Sequence, residues 1–206
     1  VEKILIDKKF KGNIYSKPSK LLENLILKLT EMKKMSDYTS GKKVSPRVKS
    51  IDKMHQKLFQ NLWQHYNKNE FLNDRLKPYI KRVRLNKLVP LIKGKKCIDF
   101  GCGHGQFLMA LKKLGAKYCL GLDFGKLSVK YANKMARSLK FNKKNLNYIV
   151  SKAQKTPIKS NSFDFAIQNG VFHHIEEHKN EIRAYKEVHR VLKKNGYFFV
   201  FTAGSG

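Results

Sequence analysis

A chain of 206 residues with 41% hydrophobic side chains can bury one sizeable core and a helical appendage, not two full domains. No run approaches the roughly 20 apolar residues of a membrane span, and Lys3 to Phe10 is too charged for a signal-peptide core, so a soluble, cytoplasmic protein without membrane contact is expected. Three cysteines, Cys97, Cys102 and Cys119, are an odd number in apolar or glycine-rich settings, with neither the CxxC nor the histidine spacing that would suggest zinc, and predict reduced, mostly buried thiols.

In chain order, residues 1–50 read as a lead-in and linker. Leu21, Leu22, Leu25, Ile26, Leu29 and Met32 recur at helical spacing, and Ser36 to Ser50, with Gly41 and Pro46, reads as linker. Residues 51–94 read as N-terminal helices of the domain that follows. Met54, Leu58, Phe59, Leu62, Trp63 and Tyr66 form an apolar stripe, and a second helix is expected around Tyr79 to Leu91. From residue 95 to 206, short apolar runs alternate with amphipathic stretches, the pattern of βαβ units. Strands are predicted at Lys96–Phe100, Tyr118–Asp123, Leu146–Val150, Phe163–Gln168 and Gly196–Thr202, with helices at Gln106–Leu114, Lys126–Leu139 and Glu177–Lys193. The fold class is therefore α/β, a doubly wound, mostly parallel sheet.

The first of these strands ends in Cys97-Ile98-Asp99-Phe100-Gly101-Cys102-Gly103-His104-Gly105, directly before a helix. Glycines let the backbone turn tightly and approach a ligand, and open amides at a helix start favour polar groups. The spacing is G-x-G-x-G with an acid two residues ahead, not the G-x-G-x-x-G of dinucleotide sites. Asp99 would repel a pyrophosphate and suits a ligand carrying amino and sulfonium charges. Asp123, 24 residues on at the tip of the second strand, could by itself merely cap the helix that follows.

The stretch I-D-F-G-C-G-H-G resembles motif I of class I S-adenosylmethionine-dependent methyltransferases. Ser151-Lys152-Ala153-Gln154 with Ser162-Phe163-Asp164, Asn169-Gly170-Val171-Phe172-His173-His174, and Arg190-Val191-Leu192-Lys193-Lys194-Asn195-Gly196 resemble the later motifs, in the same order. The resemblance covers about residues 95 to 202 and points to the methyltransferase-11-like group. It implies a Rossmann-like fold, S-adenosylmethionine as cofactor and no metal. It assigns cofactor contacts to Asp99, Gly101, Cys102, Gly103, Gly105, Asp123, Phe124, Ala153, Gln154, Asn169 and Gly170. His173 and His174 are the candidate general bases, with packing against the next helix as the alternative for each.

Two departures matter. Lys152 stands where the family often has an acid that accepts the adenine amino hydrogen, which leaves the Ala153 backbone and Gln154 for that contact. The start at Val1 and the stop after a fifth strand predict a fragment whose sheet edge lies open. A small-molecule or biosynthetic-intermediate acceptor is the leading expectation. Nucleic acid comes second, because the formal charge is +29, yet 37 lysines face only 7 arginines and the excess is even, +17 over residues 1–96 and +12 over 97–206. A non-catalytic nucleotide-binding protein of the same fold is third.

Overall fold

The computed structural model describes residues 3–6, 66–175 and 177–202. The helices expected over residues 21–32 and 51–66, and the linker between them, lie outside these except at Tyr66 itself. Six strands form one sheet: β1 (Lys3–Ile6), β2 (Lys96–Phe100), β3 (Tyr118–Asp123), β4 (Leu146–Val150), β5 (Phe163–Asn169) and β6 (Leu192–Phe201), in the order β1-β6-β5-β2-β3-β4. Every pairing is parallel.

Strands β2 to β4 match their predicted bounds because each is a short apolar run closed by a glycine, asparagine or acidic boundary. Alternation divides their side chains between two cores. Cys97, Cys119, Tyr148, Phe165, Ile167 and Phe199 face one layer, and Ile98, Phe100, Leu120, Leu122, Ala166 and Phe198 the other. All three cysteines are buried, free thiols. The first layer holds α1 (Lys77–Leu85), α2 (Val89–Ile92), α3 (Gln106–Lys113) and α4 (Lys126–Ser138). The second holds α5 (His178–Val191), which buries Ala184, Tyr185, Val188 and Val191 at helical spacing.

The structure corrects the sequence reading in three places. The expected single helix over Tyr79 to Leu91 starts earlier and is broken. Asn67 caps it, accepting from the Asn69 and Glu70 amides at 2.9 and 3.0 Å while Glu70 Oε2 accepts from the Asn67 amide at 2.8 Å. A π-helical turn, Phe71–Leu76, then leads into α1, and the chain breaks at Lys87, with φ 55°, so that Pro90 can enter the first turn of α2. Second, β6 begins at Leu192 rather than Gly196, reaching back to pair with Phe163 across a register shift. Third, the edge of β6 is not open: Lys3 to Ile6 run parallel to Tyr197 through Val200. A contact between residues almost two hundred positions apart leaves no periodic trace in the sequence. Among the described residues no helix is long and apolar enough to cross a membrane.

Candidate functional site

The carboxyl ends of β2, β3, β4 and β5 lie side by side, which is where an open parallel sheet leaves a crevice. The loop after β2 is held by the Gly101 and Cys102 amides, which donate to Leu122 O at 2.7 and 2.9 Å. Gly105 then starts α3 with φ 81°, and a Cβ there would lie 2.5 Å from the Tyr148 ring, whose hydroxyl donates to Gly105 O at 2.9 Å. Only glycine fits that position. Gly103, with φ 50°, faces the opposite situation, because a Cβ there would meet nothing within 4 Å. The loop is thus anchored at its ends and open at its centre. Cys102 is 4% exposed, its N–H and carbonyl are bonded to Leu122 and Gly105, and its thiol is pushed well up by burial and by Asp123 and Asp99.

Two carboxylates define the electrostatics. Asp123 accepts from the Gly125 amide through Oδ1 at 2.8 Å and from the Gly103 amide through Oδ2 at 2.9 Å. Burial still raises its pKa, because these two bonds only partly offset desolvation. Asp99 is 2% exposed and its Oδ1 has no partner. Burial, then the nearby Asp123, push it up to about 8 against the opposing Arg82. A buried carboxyl lacking a partner is a vacant seat for a donor, and a cationic one would restore its charge. Two such acids beside each other disfavour a pyrophosphate.

Beside Asp123 an apolar lip projects into solvent: Phe124 is 51% and Val150, its neighbour across β3 and β4, 48% exposed. Exposed residues of this size are exceptions in an otherwise closed core and mark a place where a flat apolar group can lie. Ser151 donates its amide to Asp123 O at 2.9 Å, so that Ala153 and Gln154, both half-buried, follow along the same rim, while Lys152 points out.

At the far side of the crevice, Asn169 donates to the Tyr79 hydroxyl at 3.3 Å and leaves a buried Oδ1 without a partner. The Gly170 amide donates to Phe201 O at 2.7 Å. Arg82 lies over the Phe201 ring at 4.5 Å, with the half-buried Tyr79 and the core rings of Phe107 and Phe199 within 5.9 Å, so that only Tyr79 and Phe201 of these rings reach the surface beside the cation. His173 and His174 sit on a 3₁₀ turn, Phe172–His174, anchored by the buried Phe172 ring; both imidazoles are exposed, 4.0 Å apart. His173 Cε1 would be 3.9 Å from a Cβ on Gly170, which brings it to the mouth of the crevice.

The structure therefore gathers Asp99, the Gly101–Gly105 loop, Asp123, Phe124, Ala153, Gln154, Asn169, Gly170 and His173 around one crevice. Sequence reasoning missed Tyr79, Arg82, Tyr148 and Val150. It also missed His104, which lies within motif I: burial, then Arg75, lower its pKa to about 4, and its ring packs 4.6 Å from Tyr131. Tyr79 and Arg82 carry no motif, and only the packing of α1 on α3 brings them to the site. Among the described residues no cluster of His, Cys, Asp and Glu could hold a metal ion.

A family model described as a methyltransferase domain matches residues 98–200, half of the chain. The tRNA (carboxymethyluridine(34)-5-O)-methyltransferase of Schizosaccharomyces pombe is 30% identical over 149 residues, 69% of this chain and 59% of that protein. Demethylmenaquinone methyltransferase of Staphylococcus carnosus is 28% identical over 147 residues, 70% of this chain and 58% of the relative. The chain thus spans somewhat over half the length of these curated relatives. Among solved structures, a putative S-adenosyl-L-methionine-dependent methyltransferase from Methanococcus maripaludis superimposes with a TM-score of 0.58 at 22% identity, covering 72% of this chain and 64% of the other, a likeness of fold.

Proposed function

The chain belongs to the methyltransferase domain family, with S-adenosylmethionine as its cofactor, and from that premise we propose that it transfers the methyl group to a small, flat acceptor held against the aromatic wall of Tyr79 and Phe201. The two curated relatives differ in what their names say they methylate, a carboxymethyluridine of tRNA and demethylmenaquinone. The observation that carries the small-molecule reading is the wall itself. The half-buried rings of Tyr79 and Phe201 beside the Arg82 cation suit a planar acceptor with phenolate or carboxylate character, at a mouth bordered by Asn169 and His173.

The residues on the crevice fit the cofactor. Asp99, with its unpartnered oxygen, would take the amino group of the methionyl portion, and its negative charge is returned when a cation arrives. Asp123 keeps lone pairs on both oxygens after its two backbone bonds and would accept the ribose hydroxyls. Phe124 and Val150 would lie against adenine, with Ala153 and Gln154 at its edge. The open centre of the loop at Gly103 leaves room that any side chain would take, and Gly101, Cys102 and Gly105 shape that loop rather than present free groups.

When bound, the cofactor supplies a methyl group on a sulfonium, ready for in-line displacement. The chain's own task is then to hold the acceptor, exclude water and move one proton. Asn169 and Gly170 form the floor between the two ligands. His173, and His174 beside it, are placed to take a hydroxyl proton from the acceptor. The test is formation of S-adenosylhomocysteine against separate panels of phenolic or carboxylated ring compounds and of unmodified tRNA. Turnover with a member of the first panel supports the reading; turnover with tRNA alone overturns it.

A further inference from the structure

The even charge seen when the sequence is halved dissolves once residues are placed in space. Between Asp123 and Asp164 the chain carries nine lysines and Arg137 and not one acidic residue, and all ten cations are exposed. Seven of them, Lys126, Lys130, Lys134, Arg137, Lys140, Lys143 and Lys144, belong to α4 and its connection to the edge strand β4, whereas the loop that carries Lys152, Lys155 and Lys159 is tied to α5 by the Thr156 amide donating to Glu187 at 2.8 Å. By contrast, residues 164–202 hold six basic and five acidic side chains, several of them paired: Arg190 to Glu187 at 2.6 Å, Lys193 to Asp164 at 2.8 Å and Lys179 to Glu177 at 3.1 Å. Among the described residues no carboxylate pairs with any of the ten.

The flank is grooved. Lys130 and Arg137 from α4 and Lys143 from the loop before β4 surround a cleft of about 680 Å³ whose floor includes Tyr118, Asn147 and Ile149. Three features thus coincide: cations that no carboxylate of the described residues pairs with, an aromatic ring and an aliphatic chain at the floor, and a side-chain amide. Single-stranded polynucleotides present the complementary set, phosphates outward and flat bases with hydrogen-bonding edges inward. An acidic peptide would match the charge but not the floor, and a bilayer is too flat to enter a cleft. We infer that the α4–β4 flank is a docking surface for the phosphate backbone of single-stranded nucleic acid.

This surface stands apart from the crevice and from the choice of methyl acceptor, and it holds whether or not the docked strand is methylated. Edge lysines also keep a β-strand from pairing with other chains, and that role alone would give no ligand dependence.

The experiment uses the 206-residue chain and a fluorescent 15-nucleotide single-stranded RNA, titrated from 50 to 200 mM salt. If three cations each neutralise a phosphate at about −0.7 per contact, the slope is about −2 and affinity falls roughly twentyfold over that range. The triple variant Lys130→Ala/Arg137→Ala/Lys143→Ala should bind at least tenfold more weakly at 100 mM salt, with most of the slope gone. A control triple on α5 and β6, Arg183→Ala/Lys186→Ala/Lys194→Ala, removes the same net charge from exposed positions and should bind within twofold of the parent. Cofactor titration of both variants verifies that each is folded. Equal weakening by the two triples would reduce the effect to net charge and overturn the inference, as would no RNA binding at 100 mM salt, or binding of phosphatidylserine vesicles in place of RNA.

Discussion

Replacing Asp99 by Asn removes one ionisable proton and little else, since the two side chains have nearly the same shape. The carboxyl is 2% exposed and titrates at about 8, against an ordinary value near 4. A carboxyl whose folded pKa is raised favours folding in its neutral form. Its contribution is complete below the unfolded pKa and is lost as pH rises toward the folded value, so the parent should lose stability between about pH 4 and pH 8. Asn cannot ionise and escapes that loss. The formal ceiling at pH 7 is about 4 kcal/mol, and water entering the ligand-free crevice lowers the realised difference to about 2 kcal/mol. For a chain of this size that is roughly 4–8 °C in Tm. Thermal melts of both proteins without cofactor should therefore coincide near pH 4 and separate progressively to pH 8, with the Asn variant more stable. Cofactor affinity should move the other way, weakening by tenfold or more. In the parent, binding a cation at Asp99 should release about nine-tenths of a proton at pH 7, falling to near zero above pH 9, as calorimetry in buffers of different ionisation enthalpy reads directly. Parallel melting curves from pH 4 to 8, together with no proton release at pH 7, would refute the assignment of Asp99 as a buried, neutral seat for a cationic donor.

Two further outcomes follow from the site's geometry. Gly105→Ala should cost about 3 kcal/mol of stability, since the methyl meets the Tyr148 ring at 2.5 Å, whereas Gly103→Ala should cost about 1 kcal/mol and chiefly weaken cofactor binding; denaturant titration ranks the two, and equal costs would contradict the anchored-ends reading of the loop. His173→Gln should lower kcat about a hundredfold with cofactor affinity unchanged, and a variant that instead loses cofactor binding would place the imidazole in the binding site rather than at the acceptor.

Much of the nucleotide-binding half is legible in the amino-acid sequence, because it is local. A central parallel strand buried on both faces must be a short, nearly continuous apolar run, so Lys96–Phe100 and Tyr118–Asp123 announce their own limits, and the edge strand Leu146–Val150 is marked by its apolar alternation between Asn145 and Ser151. The glycine loop and the two acids at strand ends are likewise readable, since the backbone turn and the carboxylate positions depend on neighbours within a few residues. The side proposed for the acceptor is not readable in this way. Tyr79 and Arg82 reach the crevice only through helix packing, and a tyrosine and an arginine on a helix face look the same in sequence whether they meet solvent or a ligand.

Chemistry carried by consecutive residues was therefore determined by the sequence itself: the doubly wound class, the strand and helix order, the family and its cofactor. Tertiary structure alone decided what depends on residues far apart in the chain. It set β1 against β6 and closed an edge that the sequence left open. It buried Asp99 beside Asp123 without a partner for Oδ1, which turns an ordinary acid into one that is neutral at pH 7. It also set the cations of α4 and its connection to β4 beside the sheet's edge strand while pairing Arg190 and Lys193 with carboxylates elsewhere, because charge is counted along a chain but acts through space.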